Sequence, residues 1–103
     1  MVTETEVAAT INEILVDYNY SPIIISKKQF KLLSDRDRLH PTFLAGVEYH
    51  LLENYGISTV PEDNGNSRFL FSKTTKIFHN MTQGSLCTHS RTFRNDMLKD
   101  YIN

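Results

Sequence analysis

Two capping boxes in the first third of the sequence fix where two helices begin. Thr3 precedes Glu6 by three residues, and Ser26 precedes Gln29 by the same interval. In this motif the hydroxyl of the first residue accepts from the backbone N–H of the last, whose side chain accepts in return. Apolar residues at helical spacing follow each box, so we expect one helix over about residues 4–18 and a second, short helix after Ser26.

A third helix is predicted over residues 41–55. Pro41 suits the first helical position, the apolar side chains behind it recur at helical spacing, and Gly56 favours a left-handed end. Residues 22–25, between the first two helices, contain three consecutive β-branched residues and are predicted to form a short buried strand.

The second half of the chain favours strands. Residues 57–60 and 68–72 are rich in β-branched or aromatic side chains, and the loop between them contains the hairpin pair Asn64-Gly65. Residues 76–79 are a further strand candidate. We therefore expect a β-hairpin after the third helix.

A single domain over residues 1–103 is expected, because this length fits one domain and is short for two. Its compact core is predicted over residues 3–79. Residues 80–103 are predicted to be a polar segment with a helix over 92–102, whose apolar side would carry Phe93, Met97, Leu98 and Tyr101.

The predicted order of elements is helix, short strand, helix, helix and β-hairpin. Over residues 3–72 this order resembles that of winged helix-turn-helix domains, in topology alone and without a residue motif. The expected fold class is therefore α+β, with a winged-helix-like core and a C-terminal extension or helix. The resemblance implies DNA binding, with the third helix in the major groove and the hairpin as a wing.

Charge is distributed unevenly along the chain. Residues 1–65 contain five Lys or Arg and ten Asp or Glu, whereas residues 66–103 contain six and two. No carboxylate lies between Asp63 and Asp96. This asymmetry favours a polyanionic partner. The residues expected to contact nucleic acid or an acidic partner are Lys27, Lys28, Arg68, Lys73, Lys76, Arg91 and Arg94.

Two features bear on how nucleic acid would bind. The third helix contains no Lys or Arg and two glutamates, Glu48 and Glu53, which would repel phosphate in a DNA groove. In the hairpin, the basic residues Arg68, Lys73 and Lys76 are interleaved with Phe69, Phe71 and Phe78, a pattern that suits binding of single strands by phosphate contact and base stacking. The alternative is that these phenylalanines belong to the core and that the lysines form the solvated opposite face of the strand.

Catalytic and metal chemistry is not expected. Cys87, His79 and His89 lie in one segment, but no Cys-x-x-Cys or His-Glu-x-x-His spacing accompanies them. We expect no catalytic residue, metal or cofactor. The chain carries a lone cysteine, its opening residues lack the pattern of a secretory signal, and no apolar run could span a bilayer, so a cytoplasmic location without membrane contact is expected.

Two functions remain open from the sequence. The first is a small, non-enzymatic regulatory or accessory protein that binds nucleic acid through its basic second half. The second is a protein-interaction module without nucleic-acid binding, either a homodimer or an inhibitor or adaptor of another protein. The second predicts that substitutions at Tyr20, Tyr49 or Tyr55 disrupt a partner.

Overall fold

The computed structural model describes residues 2–61, 68–73 and 91–102. Over these ranges the chain is a mixed α+β structure, as the sequence predicts. The elements are α1 (Glu4–Asp17), β1 (Ile23–Ser26), α2 (Lys27–Ser34), α3 (Pro41–Tyr55), β2 (Ile57–Pro61), β3 (Arg68–Lys73), β4 (Arg91–Thr92) and α4 (Asn95–Leu98).

Both capping boxes form, and they set the start of α1 and α2. The Glu6 N–H donates to Thr3 Oγ1 over 3.2 Å, and the Thr3 N–H donates to Glu6 Oε1 over 3.2 Å. At α2 the reciprocal distances between Ser26 and Gln29 are 3.1 and 3.0 Å. The third helix begins at Pro41 and is capped at its carboxyl end by Gly56, which has the left-handed backbone conformation that the sequence predicts (φ 64°). All three predicted helices are confirmed.

The strands form one sheet in the order β2-β3-β1-β4. β3 is antiparallel to both β2 and β1, with Ile25 opposite Phe69 and Ser26 opposite Arg68. β4 is parallel to β1, with Thr92 opposite Ile24. The antiparallel pairing of β2 with β3 bears out the predicted hairpin strands. The loop at residues 62–67 and the strand predicted at 76–79 lie outside the described residues.

The core lies between the helices and one face of this sheet. Phe30, Phe69 and Phe71 are buried together there, with ring centroids 5.7 to 6.5 Å apart. The buried side chains of α1 belong to the same core. The intervening residues of β3, Leu70 and Ser72, are also buried. The expectation that the opposite face of this strand is solvated is therefore wrong, because Leu70 and Ser72, which alternate with the two phenylalanines, are buried as well.

The closing segment differs from the helix predicted over residues 92–102. It begins with β4, continues alongside β1 through a hydrogen bond from the Phe93 N–H to Ile24 O of 2.7 Å, and contains only the four-residue α4. Phe93 and Leu98 are buried in the main core. The helical periodicity of this segment does not produce a long helix, because the pairing of β4 with β1 places the Phe93 ring in the core.

Two tyrosine contacts hold the closing segment against the end of α1. The Tyr18 hydroxyl donates to the Met97 sulfur, and the Tyr101 hydroxyl donates to the Asp17 carboxylate. Burial, together with the Asp17 carboxylate, raises the pKa of the Tyr101 phenol above its ordinary value.

Candidate nucleic-acid interface

The amino end of α2 presents two lysines to solvent. Ser26 is the last residue of β1 and the N-cap of α2, so Lys27 and Lys28 occupy the first two helical positions. Both side chains are exposed. The first turn of α2 contains no acidic residue.

The neighbouring strands bring two arginines to the same end of the sheet. Arg68 begins β3 directly opposite Ser26, at the spacing of about 5 Å that separates paired residues of adjacent strands. On the other side of β1, the buried Gln29 amide donates to Phe93 O over 2.6 Å and to Asn95 Oδ1 over 3.0 Å. Arg94 lies between these two partners, so it is anchored beside the first turn of α2.

Lys27, Lys28, Arg68 and Arg94 together form the basic end of the molecule. All four side chains are exposed. They come from three segments that are separated by about forty and twenty-five residues in the sequence. Among the described residues, Asp96 pairs with one of these four side chains: its Oδ1 lies 3.5 Å from Arg94 Nε, and both side chains of this pair are about 70% exposed. A surface pair of this kind contributes little to stability, and its carboxylate lowers the formal charge of the four basic side chains by one.

The remaining predicted contact residues do not join the basic end. Lys73 lies at the opposite end of β3, where its Nζ donates to Tyr55 O over 2.6 Å and sits 4.7 Å from the centre of the Tyr20 ring. Arg91 is opposite Ile23 in β4, and its side chain is outside the described part of the structure, as is the whole of Lys76. The structure thus brings four of the seven predicted contact residues to the basic end, and it places Lys73 outside that end.

Stacking of nucleotide bases on the hairpin phenylalanines is ruled out by their burial. Phe69 is 5% exposed and Phe71 is fully buried. Their rings contact Phe30 instead, so the prediction of base stacking at these two positions is wrong. The alternative, that both rings belong to the core, is confirmed.

The exposed surface of α3 is acidic and apolar. Glu48, Glu53, Tyr49 and Leu52 are all exposed, and Tyr49, at 62%, is the most exposed large apolar side chain among the described residues. His50 Nδ1 lies 3.5 Å from the side-chain nitrogen of Asn54. These properties are unsuited to a phosphate backbone, as the composition of the helix indicates. Two of the three tyrosines named for partner contact, Tyr20 and Tyr55, are only partly exposed and pack against the core.

No local sequence pattern predicts the groove between α3 and β2. It has a volume of about 240 Å³, a floor of buried phenylalanines and walls from the first half of α3 and the second half of β2. Its residues are too far apart in the sequence for any local pattern to connect them. The contacts of Gln29 with Phe93 and Asn95 were missed for the same reason, although the capping box did identify Gln29 as a helix-start residue.

Metal and membrane features were sought in the described part of the chain. It contains no cluster of three His, Cys, Asp or Glu side chains that could hold a metal ion. Cys87, His79 and His89 lie outside the described residues. Among the helices that the structure describes, none has the length and apolar character needed to cross a membrane.

Compared with known proteins, the chain matches no protein-family model, no curated protein and no solved structure.

Proposed function

We propose that this protein is a small, non-enzymatic regulatory or accessory protein that binds nucleic acid through its basic end. The observation that carries the proposal is the convergence of Lys27, Lys28, Arg68 and Arg94 from three segments onto one end of the sheet. Exposed Lys and Arg that share a surface contact phosphate groups and release the counterions bound to them.

The placement of the two lysines supports a role in binding rather than in stability. The amino end of a helix carries a partial positive charge, so a cation there costs about 0.3–1 kcal/mol, whereas an anion stabilises the helix by a similar amount. α1 follows this rule with Glu4 and Glu6 in its first turn, but α2 has Lys27 and Lys28. A negative ligand at this end would remove the repulsion.

A winged-helix-like arrangement is part of the proposal. The order helix, strand, helix, helix, strand, strand supports it, as does a sheet in which β3 lies between β1 and β2. The proposed contact differs from the one that the resemblance implies. It uses the first turn of α2 and the start of β3, since the outer surface of α3 carries Glu48 and Glu53.

The test is a binding titration against salt with a 20-base-pair DNA duplex, a 20-nucleotide DNA strand and an RNA strand of the same length. Four phosphate contacts predict that the logarithm of the duplex binding constant falls with the logarithm of salt concentration at a slope of about −3.6. Affinity for the duplex should then drop on the order of a hundredfold between 50 and 200 mM salt.

A double charge reversal, Lys27→Glu with Lys28→Glu, should abolish binding at 100 mM salt. The matched control is Arg38→Glu with Lys99→Glu, which makes the same change of charge at two exposed positions outside the basic end. The control should retain most of the affinity and a slope within about one unit of the original. The proposal fails if none of the three nucleic acids binds at 20 mM salt, or if both variants lose affinity equally.

A further inference from the structure

The groove between α3 and β2 is a second candidate surface; Arg68 of the basic end precedes its lining residue Phe69, but no Lys or Arg lines the groove itself. Its volume of about 240 Å³ is below the 300–1,000 Å³ typical of sites for small organic ligands. That volume suits one large apolar side chain. The lining is mainly apolar and includes Pro41, Leu44, Ala45, Thr59, Phe69 and Phe71.

β2 forms one wall of this groove and is also an edge strand of the sheet formed by the described residues. Along an edge strand every second residue directs its backbone N–H and C=O away from the sheet, where they can pair with another strand. Natural edge strands are often protected by charged side chains or by proline; β2, with the sequence Ile-Ser-Thr-Val-Pro, has no charged residue, and its proline is the last residue of the strand. Thr59 Oγ1 is buried and makes no hydrogen bond with the described residues, so it offers a polar group inside the groove.

The charge around the groove indicates which kind of partner segment it can bind. No Lys or Arg occurs anywhere from residue 39 to residue 67, a stretch that includes α3 and β2. The same stretch contains four carboxylates. One of them, Glu48, is exposed and lines the groove. A segment that combines an apolar side chain with flanking Lys or Arg residues is therefore complementary to this surface.

We propose that β2 and the groove bind an extended segment of a partner protein, which adds to the sheet as a further strand beside β2. Residues two apart in a strand face the same side. The bound segment therefore has an apolar residue directed into the groove and a Lys or Arg two residues away, beside Glu48. Main-chain hydrogen bonds to β2 supply the affinity, and the side-chain pocket supplies the specificity.

The probe is the capped peptide Thr-Lys-Thr-Leu-Thr-Lys-Thr, added to the whole chain labelled with ¹⁵N. We expect saturable shifts of backbone amide signals in β2 and in the first half of α3. Three altered peptides dissect the contact: one with Ser for Leu, one with Glu for both Lys, and one with N-methyl groups on alternate backbone nitrogens. Each should bind at least about tenfold more weakly, since each loses one of the three elements of recognition.

Two variants of the protein test the same assignment. Glu48→Lys should weaken binding of the original peptide about tenfold by placing like charges together, while Glu53→Lys, on the same helix but not in the groove lining, should leave it nearly unchanged. Ala45→Phe should fill the groove, and its control is Ala9→Phe at an exposed position of α1. Thermal unfolding of all four variants verifies that they fold.

Three results would overturn the proposal. The first is the absence of β2 shifts at millimolar peptide. The second is an equal loss of affinity in Glu48→Lys and Glu53→Lys, which would mean unspecific attraction of the peptide by negative charge. The third is β2 shifts that grow with protein concentration when no peptide is present, which would assign the surface to a second copy of this chain.

Discussion

The amino ends of α1 and α2 carry the same capping motif but opposite charges. Thr3 and Glu6 close the first box, with Glu4 between them, and the first turn of α1 is acidic. Ser26 and Gln29 close the second box around two exposed lysines. Both helices begin with the same capping motif, so the charge of the first turn does not decide where either helix starts. In α1 the charge favours the helix, whereas in α2 it opposes the helix and is available to a ligand.

The two boxes differ also in how far their last residue reaches. Glu6 is exposed, and its carboxylate bonds only to Thr3 in the described structure. Gln29 is 5% exposed and extends from its box to Phe93 O and to Asn95. The first motif is a local device, while the second links α2 to the closing segment. Similar sequence patterns can therefore have different tertiary consequences.

The largest effect is expected at Gln29. Gln29→Ala removes a capping bond and leaves the buried Phe93 carbonyl without its donor, so the free energy of unfolding should fall by about 3 kcal/mol. Glu6→Ala, the matched change in α1, should cost much less because the carboxylate is exposed to solvent. Urea denaturation of both variants measures the difference. Equal losses would show that the contact between Gln29 and Phe93 contributes little.

The second effect is a gain in stability from the variant that should lose nucleic-acid binding. Lys27→Glu with Lys28→Glu converts two repulsive interactions at the helix end into attractive ones, which should raise the free energy of unfolding by about 1.5 kcal/mol at low ionic strength. Urea denaturation at 20 mM and 500 mM salt checks this, because screening should reduce the gain. A loss of stability would contradict the conclusion that the two lysines oppose the helix and are not needed to start it.

The third effect is the local cap of α1. Thr3→Ala should lower the free energy of unfolding by about 1 kcal/mol. It should leave the closing segment in place, because the hydrogen bonds of this box join Thr3 to Glu6 alone. Urea denaturation gives the first quantity, and amide hydrogen exchange at Phe93 gives the second. The loss of global stability will itself speed exchange at Phe93 somewhat. A larger increase than that would show that the box also stabilises the closing segment.

The smallest effect is a dependence of the α1 cap on pH. Hydrogen bonds from the Thr3 backbone N–H and then from its hydroxyl hold the pKa of Glu6 below its usual value of 4.5. A lowered pKa in the folded state means that the contribution is present above pH 4.5 and is lost as the pH falls through the folded pKa. NMR titration of the Glu6 carboxylate should show the lowered pKa, and Thr3→Ala should move it upward. An unchanged value in Thr3→Ala would assign the shift to the backbone N–H alone, which alanine retains, and would rule out a contribution from the Thr3 hydroxyl.

Most of the first sixty residues could be predicted because their signals are local. Pro41 and Gly56 mark the two ends of α3, and each capping box lies within four residues of sequence. The closing segment could not be predicted in this way. Phe93 and Leu98 have helical spacing to other apolar residues, but pairing with β1 is a contact across about seventy residues, and no local pattern reports it.

The features of the candidate sites are also of two kinds: those that neighbouring residues determine and those that depend on contacts between distant parts of the chain. The sequence by itself determined that the second half of the chain is basic, that α3 lacks Lys and Arg, and where the three main helices begin, because composition and capping are properties of neighbouring residues. Only the tertiary structure decided that Arg68 and Arg94 flank the lysines of α2, that Lys73 lies at the other end of β3, and that a groove opens beside β2. The physical reason is that strand register, rather than distance along the chain, sets which side chains share a surface.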